Sequence, residues 1–149
     1  MVVAGIDPGA SGGISFHGDG WVNVEKLPQN AKELLEVIKT EGPDIAYVEQ
    51  IYLPNGKAGA LNFAAGWGKI LAVLEMLEIE TVMVRPQVWM KALDCLTRGD
   101  KNVTKEKAKE LFGEYRYNDG KGIPITHWSS DSLLIGYYGY EKERMFNGL

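Results

Sequence analysis

Three carboxylates in this sequence stand where acids do chemistry. Asp7 ends the apolar run Val2–Ile6, Glu49 ends the run Ile45–Val48, and Asp131 lies in the first turn of the closing apolar-rich segment. If the first two runs are neighbouring parallel strands, Asp7 and Glu49 come side by side at the carboxyl edge of a sheet, where α/β proteins build their sites. Carboxylates brought together raise one another's pKa and destabilise the fold. Hard divalent cations that prefer oxygen, Mg²⁺ or Mn²⁺, remove that penalty. Two such ions about 3.5–4 Å apart activate a water and stabilise the leaving oxygen in phosphodiester hydrolysis. Each acid also has an ordinary explanation. A strand-end acid commonly faces solvent, and Asp131 suits a helix N-terminus through the macrodipole. What favours chemistry is the combination of Gly5-Ile6-Asp7-Pro8-Gly9-Ala10-Ser11-Gly12 with Tyr47-Val48-Glu49-Gln50.

The elements that must position these acids follow from periodicity and punctuation. Val2–Asp7 reads as a buried strand, and Pro8–Gly13 as a turn. Gly13–His17 and Trp21–Leu27 read as strands around the turn His17-Gly18-Asp19-Gly20, which makes an antiparallel three-strand meander. A helix follows, with Asn30 as N-cap, Leu34, Leu35 and Ile38 as its apolar stripe, and Gly42-Pro43 as its stop. Ile45–Val48 is a second buried strand. Ala58–Leu77 is a long helix rich in small residues, and Thr81–Val84 a further strand. Pro86–Leu93 is a short helix, Thr104–Phe112 another with Thr104 as N-cap, and Ser129–Glu143 an amphipathic closing helix. Lys107 falls in reach of Glu106 and Glu110. The order of elements gives a mixed α/β layer fold, a five-stranded sheet flanked by helices, with residues 1–149 as one domain.

Composition sets the outer bounds. The chain has 149 residues, of which 45% are hydrophobic and 24% charged, as in a soluble globular domain. No apolar run approaches the roughly 20 residues that span a bilayer, and the N-terminus lacks the pattern of a secretory signal. Cys95 is the only cysteine, which excludes an internal disulfide, argues against structural zinc and favours a reducing, cytoplasmic setting. The net charge of −4 runs against a polyanionic partner, but its distribution does not. Arg85, Lys91, Arg98, Lys101, Lys105, Lys107 and Lys109 crowd one stretch, while much of the acid lies elsewhere. That run is either a phosphate-binding surface or a solvated helix face.

Ile6-Asp7-Pro8-Gly9 followed by small residues resembles the first motif of the RuvC-like Holliday-junction resolvases, in the RNase H-like superfamily. Val48-Glu49-Gln50 resembles their second motif, and Asp131-Ser132-Leu133-Leu134-Ile135 resembles the pattern on their last helix. Val84–Lys91 with the Lys101–Phe112 segment is similar to the phage branch of that family, so the likeness runs through essentially the whole chain. It implies an RNase H-like fold, a homodimer, and paired nicking of symmetric strands at a four-way DNA junction with two Mg²⁺ or Mn²⁺ ions per site. Asp7 would bridge the ions, Glu49 would hold one and Asp131 the other. Lys101 and Lys105 would meet phosphate near the scissile bond, with Lys91 a further DNA contact. Tyr52 matches an aromatic that wedges against bases at the junction, its alternative being a core anchor. Lys57, beside Asn55-Gly56, is placed to touch the DNA backbone.

The sequence departs from the family three residues before the last Asp, where a metal-binding side chain is usual and Trp128 stands. His127 is then either the fourth ligand or a loop histidine. If a helix already runs through Thr126, His127 and Asp131 share a face at i and i+4. Trp67 and Trp89 read as core or dimer-interface residues. Phe63, Ala64, Ala65, Gly66 and Gly68 permit close helix approach and make the long helix the expected dimer seam. Other readings are a nuclease of broader branched-DNA or RNA specificity and a catalytically silent junction-binding module. A fragment of an actin- or sugar-kinase-like ATPase is a further one, for which 149 residues leave no second lobe.

Overall fold

Strand pairing in the computed structural model, which describes residues 1–53 and 58–148, follows the hydrophobic pattern closely. Strands β1 (Val3–Ile6), β2 (Gly13–Gly18) and β3 (Trp21–Lys26) form the antiparallel meander; β4 (Ile45–Glu49) and β5 (Glu80–Val84) add in parallel. The sheet order is β3-β2-β1-β4-β5. Among the described residues the helices are α1 (Ala31–Glu41), α2 (Ala60–Met76), α3 (Pro86–Ala92), α4 (Asn102–Phe112) and α5 (Ser130–Phe146).

Alternation along β1 and β4 sorts the core into two layers. Ala4, Ile6, Ala46 and Val48 face one way and bury with Leu34, Ile38, Ile70, Val73 and Leu74 of α1 and α2. Val3, Ile45 and Tyr47 face the other way and bury with Trp89, Phe112, Leu133, Leu134 and Ile135 from α3, α4 and α5. β2 is buried along its whole length, because helices cover the sheet on both faces. Ile14 and Phe16 join the α1–α2 layer, while Ser15 and His17 face α5.

Local chemistry fixes the ends of α1 as the sequence indicates. The Asn30 side chain accepts from the Lys32 and Glu33 amides, and Gly42 ends the helix in the left-handed region at φ 59°. α4 departs from expectation. It starts at Asn102, and Lys101, not Thr104, takes the cap position. The Asp100 carboxylate accepts from the Asn102 amide at 3.0 Å, which starts the helix two residues early. Thr104 is thereby carried into the first turn, where it is buried and donates to the Lys101 carbonyl at 3.3 Å.

α5 lies unusually close to the sheet. A Cβ on Gly5 would overlap the Gly136 backbone, and one on Gly136 would overlap the His17 ring and the Ser15 hydroxyl. The Ser15 hydroxyl donates to the Ser132 carbonyl at 2.6 Å and stands 3.0 Å from His17 Nε2. Its one proton is thus committed, so the His17 Nε2–H must be the donor in that second contact. Burial keeps His17 neutral, its pKa pushed down to about 3. At the other end of α5, the Tyr47 hydroxyl donates to Glu143 Oε1 at 2.6 Å. These contacts fix how far α5 reaches over β1, β2 and β4, and so where its first turn lies.

Candidate active site

The same alternation that buries Val3 and Gly5 under α5 turns Asp7 toward that face, and the rule turns Glu49 there after Ile45 and Tyr47. The parallel register pairs Ile6 with Val48, so the next residues, Asp7 and Glu49, are neighbours across two strand ends. The first turn of α5 carries Asp131 over them. The turn after β1 is held by the Asp7 amide donating to the Gly13 carbonyl at 3.0 Å. A Cβ at position 12 would strike the Asp7 carbonyl, so only glycine closes this loop.

Asp7, Glu49 and Asp131 line one open cavity of about 920 Å³, together with Lys26, Lys101, Thr104, Lys105, His127 and Trp128. The electrostatics are those of crowded, partly buried acids. Burial holds the Asp7 carboxyl well above the usual range, and the charges of Glu49 and Asp131 add to it while Lys101 opposes. Glu49 is pushed up to about 7 by burial, against the hydrogen bond from Trp89, with Asp131 raising it further. Asp131 is raised by burial, with the Thr104 hydroxyl and Lys101 favouring its charged form. Such a cluster binds protons readily at neutral pH unless cations replace them.

Two residues of this cavity and its support were not legible from the sequence. Trp89 is fully buried, and its indole Nε1–H donates to Glu49 Oε2 at 2.9 Å. Its core role is as expected, but its hydrogen bond also fixes the Glu49 carboxylate, a pairing 40 residues apart with no local signal. Lys26 reaches the cavity because it pairs with Gly13, immediately after the Asp7 loop. The hairpin register is the only clue that could have found it.

The other expected site residues fall into two groups. Lys101, Lys105 and His127 join the acids around the cavity. α5 starts at Ser130, so His127 is not on a helical face with Asp131; it is exposed in the preceding turn. Trp128 lies beside it and lines the same cavity. Lys91 is exposed on α3 and does not line the cavity, and Tyr52 is 87% exposed, which removes the core-anchor alternative. Lys57 lies outside the described residues.

The donors are hard oxygens, which fit Mg²⁺ or Mn²⁺ in kind. Among the described residues no three Asp, Glu, His or Cys side chains are close enough to enclose an ion by themselves. That arrangement fits an open site better than a closed cage. Mg²⁺ typically takes one or two carboxylates and completes its shell with water and substrate phosphate.

A mixed sheet of order 3-2-1-4-5 with helices on both faces is the RNase H-like fold as RuvC has it. The solved structures this chain resembles are of that class. Thermus thermophilus RuvC superposes with a TM-score of 0.61 at 23% identity, over 98% of this chain and 97% of that one. T. thermophilus RuvC in complex with a Holliday junction substrate gives 0.66 at 22% identity, over 97% and 96%. The yeast mitochondrial Holliday junction resolvase Ydc2 gives 0.51 at 15% identity, over 91% and 74%. No protein-family profile matches the chain, and no curated protein sequence matches it.

Proposed function

We propose that this chain is a structure-selective DNA endonuclease that resolves four-way junctions by metal-dependent hydrolysis, with paired nicks on symmetric strands. The observation that carries this reading is the convergence of Asp7, Glu49 and Asp131 on one open cavity rimmed by Lys26, Lys101 and Lys105. The RuvC-type fold supports it, since one of the similar structures holds a Holliday junction. Asp7, Glu49 and Asp131 would hold the ions, with His127 the further candidate. Bound Mg²⁺ or Mn²⁺, two per site, would supply Lewis-acid charge and an activated water. The lysines bind and orient the scissile phosphate, and cations at this edge let an acidic protein accept a polyanion. Tyr52, Lys57 and Lys91 are the proposed DNA contacts away from the cavity.

Trp89 is the positioning residue in this account. By holding Glu49 Oε2 it leaves the other carboxylate oxygen for the cavity. Removing the partner that orients a metal-binding side chain commonly costs ten- to a hundredfold in metal affinity or activity. Trp89→Phe is therefore expected to raise the Mn²⁺ concentration for half-maximal binding about tenfold, read by calorimetry, while the protein stays folded by circular dichroism.

Paired nicking needs two sites, and α2 offers the surface for a homodimer. Leu61 and Met76 are 83% and 67% exposed, and Ala65, Gly68 and Ala72 continue the same apolar stripe. Open space surrounds Gly66 and Gly68, and the buried Trp67 Nε1 has no hydrogen-bond partner among the described residues. A second copy packed along α2 would cover the stripe. Ala65→Glu is expected to convert a sedimenting dimer to monomer and reduce junction cutting to single, uncoupled nicks.

Among the described residues no helix is long and apolar enough to cross a membrane. The buried free thiol of Cys95 suits a reducing, cytoplasmic compartment, in a bacterium or a phage-infected cell. Trp128, in place of a fourth ligand, favours one alternative, a silent module that binds junctions without cutting them. End-labelled junctions distinguish the readings. Nicks at symmetric positions on opposite strands support the resolvase, binding without nicks supports the silent module, and equal cutting of flaps and linear duplex supports a broader nuclease.

A further inference from the structure

Beside the acidic cavity lies a second pocket of about 270 Å³, and the two share Gly9, Ala10 and Phe63 as walls. Its floor is apolar, made by Leu27, Leu34 and Ile70, all buried. Its rim is polar and ordered. The Gln29 side-chain amide donates to the Leu27 carbonyl at 2.9 Å and to the Gly9 carbonyl at 3.3 Å, and Lys69 Nζ donates to the Gln29 carbonyl at 2.9 Å. With its NH₂ group turned to the backbone, Gln29 presents its amide oxygen as an acceptor. Asn62 adds an exposed amide with both donor and acceptor. The half-buried Phe63 ring stands where the pocket meets the cavity.

We propose that this pocket receives one nucleobase of the cut strand, from a nucleotide next to the scissile phosphate, stacked on Phe63 and read by Asn62 and Gln29. The inference rests on the nuclease reading of the adjoining cavity. At about 270 Å³ the pocket lies just below the usual span of ligand sites, about 300–1,000 Å³, so it admits a single planar ring system. An apolar floor, one aromatic wall and a few directed amides match a base, which offers two π-faces and a polar edge. Lys69 at the rim suits the phosphate that accompanies it. Continuity through Gly9 sets the pocket two residues from Asp7, within reach of a neighbouring nucleotide. Bases at a branch point are already poorly stacked, which lowers the cost of turning one out. The dimer stripe of α2 (61, 65, 68, 72, 76) lies one residue out of phase with the pocket residues 62, 66 and 69. A second copy on that stripe therefore need not cover the pocket.

The test uses wild-type protein and a set of four-way junctions, each with one abasic nucleotide at a position within three of the nick. One position is expected to slow cutting about tenfold, as loss of one base–aromatic stack would. Phe63→Leu, which keeps the wall apolar, is expected to lose the same factor on the intact junction and to show no further loss at that abasic position. Asn62→Ala is expected to change which base is preferred there. Wild-type cutting indifferent to every abasic position would overturn the inference and leave the nuclease reading standing. So would an abasic effect that persists undiminished in Phe63→Leu, since the base would then be held elsewhere. A Phe63→Leu protein that sediments as a monomer would assign the pocket to a second copy. Wild-type protein that cuts no junction with any divalent metal would overturn both.

Discussion

Asp7→Asn should abolish junction cutting, by about a thousandfold or more, while junction binding persists and the metal-free protein becomes more stable. Asp7 is the acid on which the other two charges converge, and a loss of that size corresponds to about 4 kcal/mol of transition-state stabilisation. The gain in stability follows from the same electrostatics, since a neutral amide removes like charge from a partly buried cluster. Glu49 titrates at about 7 when folded, against an ordinary value of 4.5. Between those values the folded state binds the more protons, so its stability falls as pH rises through that window. His17 acts oppositely. It binds its proton at 6.5 unfolded but only at about 3 folded, so stability is lost as pH falls below 6.5. Above pH 6.5 the opposing His17 contribution fades over about one pH unit, and the acids set the net slope. Thermal melts in EDTA should therefore show wild-type Tm dropping from pH 6.5 to 8, and a flatter profile for Asp7→Asn. Added Mn²⁺ should raise wild-type Tm most at pH 8, where protons no longer neutralise the cluster.

The second large effect lies away from the acids. Gly136→Ala should cost about 3 kcal/mol, within the range for overpacking a close contact, and lower Tm by about 10 °C. Its methyl group would overlap both the His17 ring and the Ser15 hydroxyl, which are themselves buried and hydrogen-bonded. The strain is relieved only by lifting α5 from β1 and β2, and the first turn of that helix carries Asp131. Cutting should fall with stability, even below the melting temperature. A variant with wild-type Tm would show that α5 is not held at the distance the glycines set.

Much of this architecture was legible from residue order. The apolar runs ending in Asp7 and Glu49 gave both strands and their shared edge, because parallel strands in register must bring successive ends together. Asn30 and Gly42 marked a helix by hydrogen bonds that a few neighbouring residues supply. What stayed hidden was long-range or competitive. Thr104 looked like a cap, but Asp100 supplies the acceptor first, and Thr104 instead turns inward toward Asp131. The indole of Trp89 meets Glu49 through the crossing of α3 over β4, which no spacing encodes. Lys26 enters the cavity through a hairpin register, and His127 precedes the helix because α5 starts at Ser130. Complete burial of β2 likewise depends on helices from distant parts of the chain covering both faces.

Junction-selective, metal-dependent hydrolysis is decided by cleavage of a synthetic four-way junction and a matched linear duplex, with Mg²⁺, Mn²⁺ or EDTA, by wild-type and Asp7→Asn protein. The expected result is nicking of the junction in preference to the duplex, only with a divalent metal, and lost in Asp7→Asn although the junction is still bound. Cutting that continues in EDTA or in Asp7→Asn would contradict it.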